Sequence, residues 1–202
     1  RPNIRNSGSF WLYSMSLNYW FHHGGDIYSL QWPWGNSADG YISNLMASMN
    51  QDPYVQWWSD TIFADPHHIP FEYLSSTELQ PKPPVDIAQA RRFPDTGQLS
   101  AFDRFYDHQS DRIFFRSSQW GGHSHAHADQ NSFVIHSGGE IMAADVGYYT
   151  YYGDEYHLNW TVTTFPHNTM LVNGEGQIPQ SIDSKGEIVS FFNTPHYTFF
   201  SG

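Results

Sequence analysis

The sequence predicts an α+β chain in two parts, a helical N-terminal segment followed by an antiparallel β-sandwich. Three observations carry that reading. Bulky residues recur at helical spacing up to about residue 65, the hydrophobic period changes to two from about residue 99, and the stretch between is broken by prolines. The division is therefore 1–65 helical, 66–98 linker and 99–202 sandwich.

The helical part opens with SFWLYSMSLNYWFH, residues 9–22, whose Phe10, Leu12, Tyr13, Leu17, Tyr19, Trp20 and Phe21 suit a helix face. After a turn-rich stretch, YISNLMASMNQ places Ile42, Leu45, Met46 and Met49 at helical spacing, with Ser37 or Asp39 available as a cap. Asp52-Pro53 then opens PYVQWWSDTIF, a short helix with proline in its first turn. Pro81, Pro83, Pro84 and Pro94 resist both helix interior and central strand, which marks the boundary. Beyond it, DRIFFRSS, NSFVIHS, EIMAADVGYY, HNTMLVNG and EIVSFFN read as strands. They are punctuated by Gly121-Gly122, Gly138-Gly139 and Asn173-Gly174, the last a hairpin signal.

Composition narrows the function. The chain carries nine Lys plus Arg against twenty Asp plus Glu, a net charge of −11, which argues against nucleic acid as the main partner. An anionic sugar polymer held in a local cleft remains compatible with that charge. Aromatic residues make up 18%, enough to supply sugar-stacking faces beside the core. There is no cysteine, so a metal site must be built from His, Asp or Glu. No run of about 18 apolar residues predicts a membrane span. The opening RPNIRNSGSF has no charged-then-apolar leader, and a start at Arg1 reads as a processed or truncated chain. Oligomeric state is not readable.

The densest signal is GGHSHAHADQNSF, residues 121–133. His123, His125, His127 and Asp129 alternate with small residues, so an extended strand would set all four on one face. Such a row is costly to bury without a metal or a substrate. Asp145, near Gly147 in IMAADVGYY, and His167 in FPHNTMLV are the further members. His127, Asp145 and His167 are the expected ligands, converging from three strands.

These motifs identify a resemblance. GGHSHAHADQNSFVIHSGGEIMAADVGYYTYYG followed by PHNTMLVNGEGQ strongly resembles the C-terminal region of the heparinase II/III-like polysaccharide lyases, which include alginate, oligoalginate and heparin-type lyases. The resemblance covers roughly residues 93–180 and is looser over 1–65. It implies that the helices are the last of an (α/α) toroid, followed by the sandwich. It also implies a mainly structural Zn2+ on His127, Asp145 and His167, with His125 facing the substrate and His123 at the rim. Within GYYTYYGDEYHLNW it implies a catalytic tyrosine, Tyr152 or Tyr156, with Tyr152 favoured for its YYG setting. Relatives also draw an Asn-His pair and a Tyr from the toroid's earlier helices, which this chain is expected to lack, since the context of Asn18, His22 and His23 in NYWFHHGG does not match that pair. An arginine that follows the Asp in some oligoalginate lyases is replaced by the Tyr148–Tyr152 run.

The implied chemistry is β-elimination on a uronic-acid polymer: carboxylate neutralisation, removal of the C5 proton and protonation of the departing O4. Alginate is the first expected substrate and heparin-like glycosaminoglycans the second, with a periplasmic or secreted location by analogy. Two other classes stand beside it. One is a zinc-dependent hydrolase with Asp129 as base; the other is a non-catalytic sugar-binding sandwich.

Overall fold

The computed structural model describes residues 8–10, 12–14, 37–62, 79–105, 107, 109–147 and 151–202. Asn18, His22, His23, Tyr148 and Tyr149 lie outside these residues, as does most of the helix read over 9–22; residues 8–10 and 12–14 of it are helical. The described residues divide into two compact units, one reaching Ile87 and the other running from Ala88.

In the first unit, α1 (Ser37–Asn50) and α2 (Pro53–Ile62) are neighbours in space. α1 starts at Ser37, one of the two residues read as its cap. Gln51, in the left-handed region at φ 53°, ends it. Asp52 caps α2, its Oδ1 accepting from the amides of Tyr54 and Val55 at 3.0 and 3.2 Å, with Pro53 at the first position as the sequence predicts. α2 buries Val55, Trp58 and Ser59. α1 buries Ser43 and Ala47, while Leu45 and Met46 are half-buried and Met49 is 61% exposed. Small residues on that face let a neighbouring helix come close, and Gln56 of α2 donates to Asn44 of α1 at 2.8 Å.

The second unit is built on a five-stranded antiparallel sheet in sequence order: β1 (Ala90–Phe93), β2 (Gln98–Phe102), β3 (Arg112–Arg116), β4 (Ser132–Ser137) and β5 (Glu140–Ala143). β6 (Ser190–Asn193) and β7 (Thr198–Ser201) form a separate hairpin. β1 and the first residue of β2 fall inside the stretch read as linker. Pro94 argues against a continuous strand, yet it sits in the hairpin turn Pro94–Gly97, where Gly97 takes φ 66°, and β1 is an edge strand. Gly138 and Gly139, at φ 59° and 86°, make the tight turn between β4 and β5.

The sheet's two faces have different work. On one, Leu99, Ala101, Ile113 and Phe115 pack with Ile188, Phe191 and Phe200, so the β6–β7 hairpin forms a second layer; the Phe115 and Phe200 rings are 5.0 Å apart. Cross-strand pairing sets the other face. Phe114 lies opposite Val134 and Arg116 opposite Ser132, alternate to the core pairs Ile113–Ile135 and Phe115–Phe133. That face, with Phe114 and Val134 buried, is where Arg116 enters the candidate site.

Two strand expectations are corrected. The histidine row is not a strand: residues 117–131 form a loop from β3 to β4, with Ser124 left-handed at φ 61°. The stretch HNTMLVNG is a series of turns with a single bridge, Val172 to Glu175, closed by Asn173-Gly174 at φ 55° and 80°. The hairpin turn is present, but the strands around it are minimal.

Candidate functional site

The 117–131 loop is held by backbone pairing to distant segments. The Ala128 amide donates to the Val162 carbonyl at 3.0 Å, and Thr164 Oγ1 donates to the Ala128 carbonyl at 2.7 Å. Gln130 is fixed twice over: its amide donates to Gln177 Oε1 at 3.0 Å and its carbonyl accepts from Thr169 Oγ1 at 2.7 Å. Gly122 passes so near His127 that a Cβ would lie 2.7 Å from the His127 carbonyl oxygen. These bonds sort the four alternating polar residues by depth. His127 and Asp129 are 0% exposed, whereas His123 and His125 face solvent. The expected single face is therefore absent, because consecutive residues 127–130 are all buried.

Three buried groups converge. Asp129, Asp145 and His167 place ligand atoms within 4.8 Å of one another. His167 Nδ1–H donates to Asp145 Oδ1, and Nε2–H donates to the Thr161 carbonyl at 3.0 Å. Burial disfavours the charged imidazole, but the hydrogen bond and charge of Asp145 outweigh it and hold His167 above the usual histidine range. Burial likewise opposes the charged form of Asp145, whose carboxyl is nevertheless held below its usual range by His167. Asp129 Oδ2 accepts from Arg116 Nη1 at 2.7 Å, yet full burial pushes its carboxyl up against that pull. Its other oxygen, Oδ1, is buried and meets no hydrogen-bond donor among the described residues.

That donor set fits a divalent cation. Two carboxylates and, once Nδ1 gives up its proton, the His167 imidazole are oxygen and nitrogen ligands suited to zinc, and the bare Asp129 oxygen lacks the partner a cation would provide. Of the expected ligands, Asp145 and His167 meet here. His127 stands beside them, its ring centroid 5.1 Å from that of His167, outside the tightest group. Asp129 joins instead of acting as a base: closed from solvent and paired with Arg116, it is not placed to activate water for an incoming substrate.

The HNT motif now has a local meaning. His167 enters the group, while Asn168 Nδ2 donates to the carbonyls of Phe133 and Ala144 at 3.0 and 2.7 Å, pinning β4 to the chain just past β5. Asp145 follows directly on that pinned residue.

A second, exposed group lies along the chain from the first. The His125 and Tyr152 rings are 5.3 Å apart, and the Tyr152 ring is 4.9 Å from that of His157. Tyr152 is 55% exposed, and His157 is buried. Tyr156 is exposed further along, where the π-helical turn His157–Thr161 begins. Sequence reasoning missed Arg116 and Thr161, whereas His157 is among the groups that GYYTYYGDEYHLNW offers, with no role attached. Only His157 left a signal, as the fourth residue of Asp154-Glu-Tyr-His157, an Asp three positions ahead of a helical turn.

The comparisons agree with this architecture. No curated protein matches the sequence. Among solved structures, the heparan sulfate lyase HepC from Pedobacter heparinus superposes with TM-score 0.60 at 16% identity, over 85% of this chain and 24% of that one. A heparinase III superposes with TM-score 0.58 at 15% identity, over 96% of this chain and 29% of that one. The chain thus spans about a quarter of the length of these relatives, and at such identity the likeness is one of fold. A family model described as heparinase II/III-like, C-terminal, matches residues 88–190, just over half of the 202, and the chain belongs to that family.

Proposed function

We propose that this chain is the C-terminal part of a polysaccharide lyase that cleaves an acidic polysaccharide by β-elimination, with His125 and Tyr152 at the reacting uronate. The observation that carries the reading is the pairing of those two rings at the surface, two residues along from the buried His127. His125 is disposed to neutralise the uronate carboxylate, which makes the C5 proton acidic enough to remove. Tyr152 moves that proton: as the C5–H bond breaks, C4=C5 forms, the C4–O4 bond breaks and O4 leaves protonated. A divalent cation held by Asp129, Asp145 and His167 would supply fixed positive charge that orders these side chains. Zinc is the ion proposed, with His127 within reach of the group.

Heparan-type glycosaminoglycans stand ahead of alginate as substrate, because the matched structures are named as heparinases and a heparan sulfate lyase. The helices up to Ile87 are proposed as the end of a toroid, and a periplasmic or secreted location follows from the size of such polymers. Among the described residues, no helix is long and apolar enough to cross a membrane. The test is ultraviolet absorbance of the unsaturated uronate product on heparan sulfate, heparin, hyaluronan, chondroitin, polymannuronate and polyguluronate. The expected result is a rising signal on heparan sulfate that His125→Ala lowers by about a hundredfold or more. Binding of these polymers without any product would establish the non-catalytic sandwich instead.

A further inference from the structure

The π-helical turn His157–Thr161 touches both groups described above, and π-helical turns recur at functional sites. At its end, the Thr161 carbonyl accepts from His167 Nε2. At its start, His157 makes three contacts with the Tyr152 loop. Its amide donates to Asp154 Oδ1 at 2.6 Å, its Nδ1 accepts from the Gly153 amide at 3.0 Å, and its ring lies 4.9 Å from that of Tyr152. Gly153 directly follows Tyr152 and takes φ 86°, a left-handed conformation that glycine adopts without steric cost. His157 is 1% exposed, so it meets no substrate.

We propose that His157 is a positioning residue for Tyr152: its Nδ1 fixes the Gly153 amide and thereby sets the phenol against His125. The proposal rests on the lyase reading and deepens it, since it names what holds the tyrosine. An acceptor at the Nδ1 position is the essential feature, and the ring is secondary. Asparagine places an oxygen close to where Nδ1 stands, whereas phenylalanine keeps the ring and loses the acceptor.

The test compares His157→Asn and His157→Phe in the full chain by two readouts. Amide hydrogen exchange at Gly153 reports the bond directly. Product formation on the substrate of the wild-type protein gives kcat and KM separately. In His157→Phe, Gly153 should exchange at least about tenfold faster and kcat should fall by about ten- to a hundredfold with KM little changed. His157→Asn should restore both. Faster exchange with wild-type kcat would overturn the proposal while leaving the lyase reading in place, and so would equal loss of kcat in both variants. A wild-type chain that makes no product on any polymer would overturn both. Should the phenylalanine variant not fold, Gly153 exchange in the wild-type chain decides: no protection there overturns the proposal.

Discussion

Asp145 and His167 oppose each other in a buried group, and their partners fix the sign of each one's pH dependence. With the metal stripped, His167 is held above its usual range. Its stabilising contribution is complete below the unfolded value of about 6.5 and disappears as pH rises through the folded value. Asp145 is held below its usual range. Its contribution is present above the unfolded value of about 3.9 and is lost as pH falls through the folded one. Stability in chelator should therefore peak between the two unfolded values, about 3.9 and about 6.5, and thermal unfolding of Asp145→Asn across pH should give a flatter profile; an unaltered profile would contradict the pairing. Arg116 makes a separate case. Arg116→Met strands the Asp129 carboxylate in a dry site, and denaturant unfolding should reveal a loss of about 3 kcal/mol, largely recovered by adding Asp129→Asn. An undiminished stability in Arg116→Met would show that the pair is unimportant. At this scale the sequence pointed to Asp145 and His167, which converge, but not to the depth of each residue in the histidine row. His127 and Asp129 are buried, and His125 exposed, because Val162, Thr164 and Gln177 capture the loop from far along the chain.

Elements were legible where their period was local. The alternation in RIFFR and SFVIHS yields β3 and β4, and Asp52-Pro53 opens α2. The stretch HNTMLVNG, read as a strand, does not form one, because Asn168 and Thr169 bond across to other segments. Asn168 replaces ladder bonds with two donations, to Phe133 and Ala144. Asn168→Ala should cost about 1–2 kcal/mol in denaturant unfolding and weaken the proposed binding of a divalent cation by loosening the neighbouring His167. An unaltered zinc affinity in that variant would detach Asn168 from the proposed metal site. The β1 strand was hidden for a different reason: Pro94 serves as a turn residue between strands, and sequence period alone does not separate that role from a linker's.

The molecule as a whole combines a net charge of −11 with a proposed polyanionic substrate, so recognition has to be local to the His125–Tyr152 surface. The resemblance read from the H-x-HADQNSF, D-x-G and HNT motifs fits the family match over 88–190, because those motifs carry the folded loop contacts themselves. The choice between Tyr152 and Tyr156 was not legible, since it depends on how the chain turns at Gly153 and enters the π-helical turn. The central claim is that Tyr152, seated against His125, is the phenol that moves the proton. The measurement that tests it most directly is kcat for unsaturated-product formation from heparan sulfate by Tyr152→Phe and Tyr156→Phe beside the wild-type chain. The expected outcome is a loss of about a hundredfold or more for Tyr152→Phe and only a few-fold for Tyr156→Phe. The reverse order, or product formed by Tyr152→Phe at the wild-type rate, would contradict it.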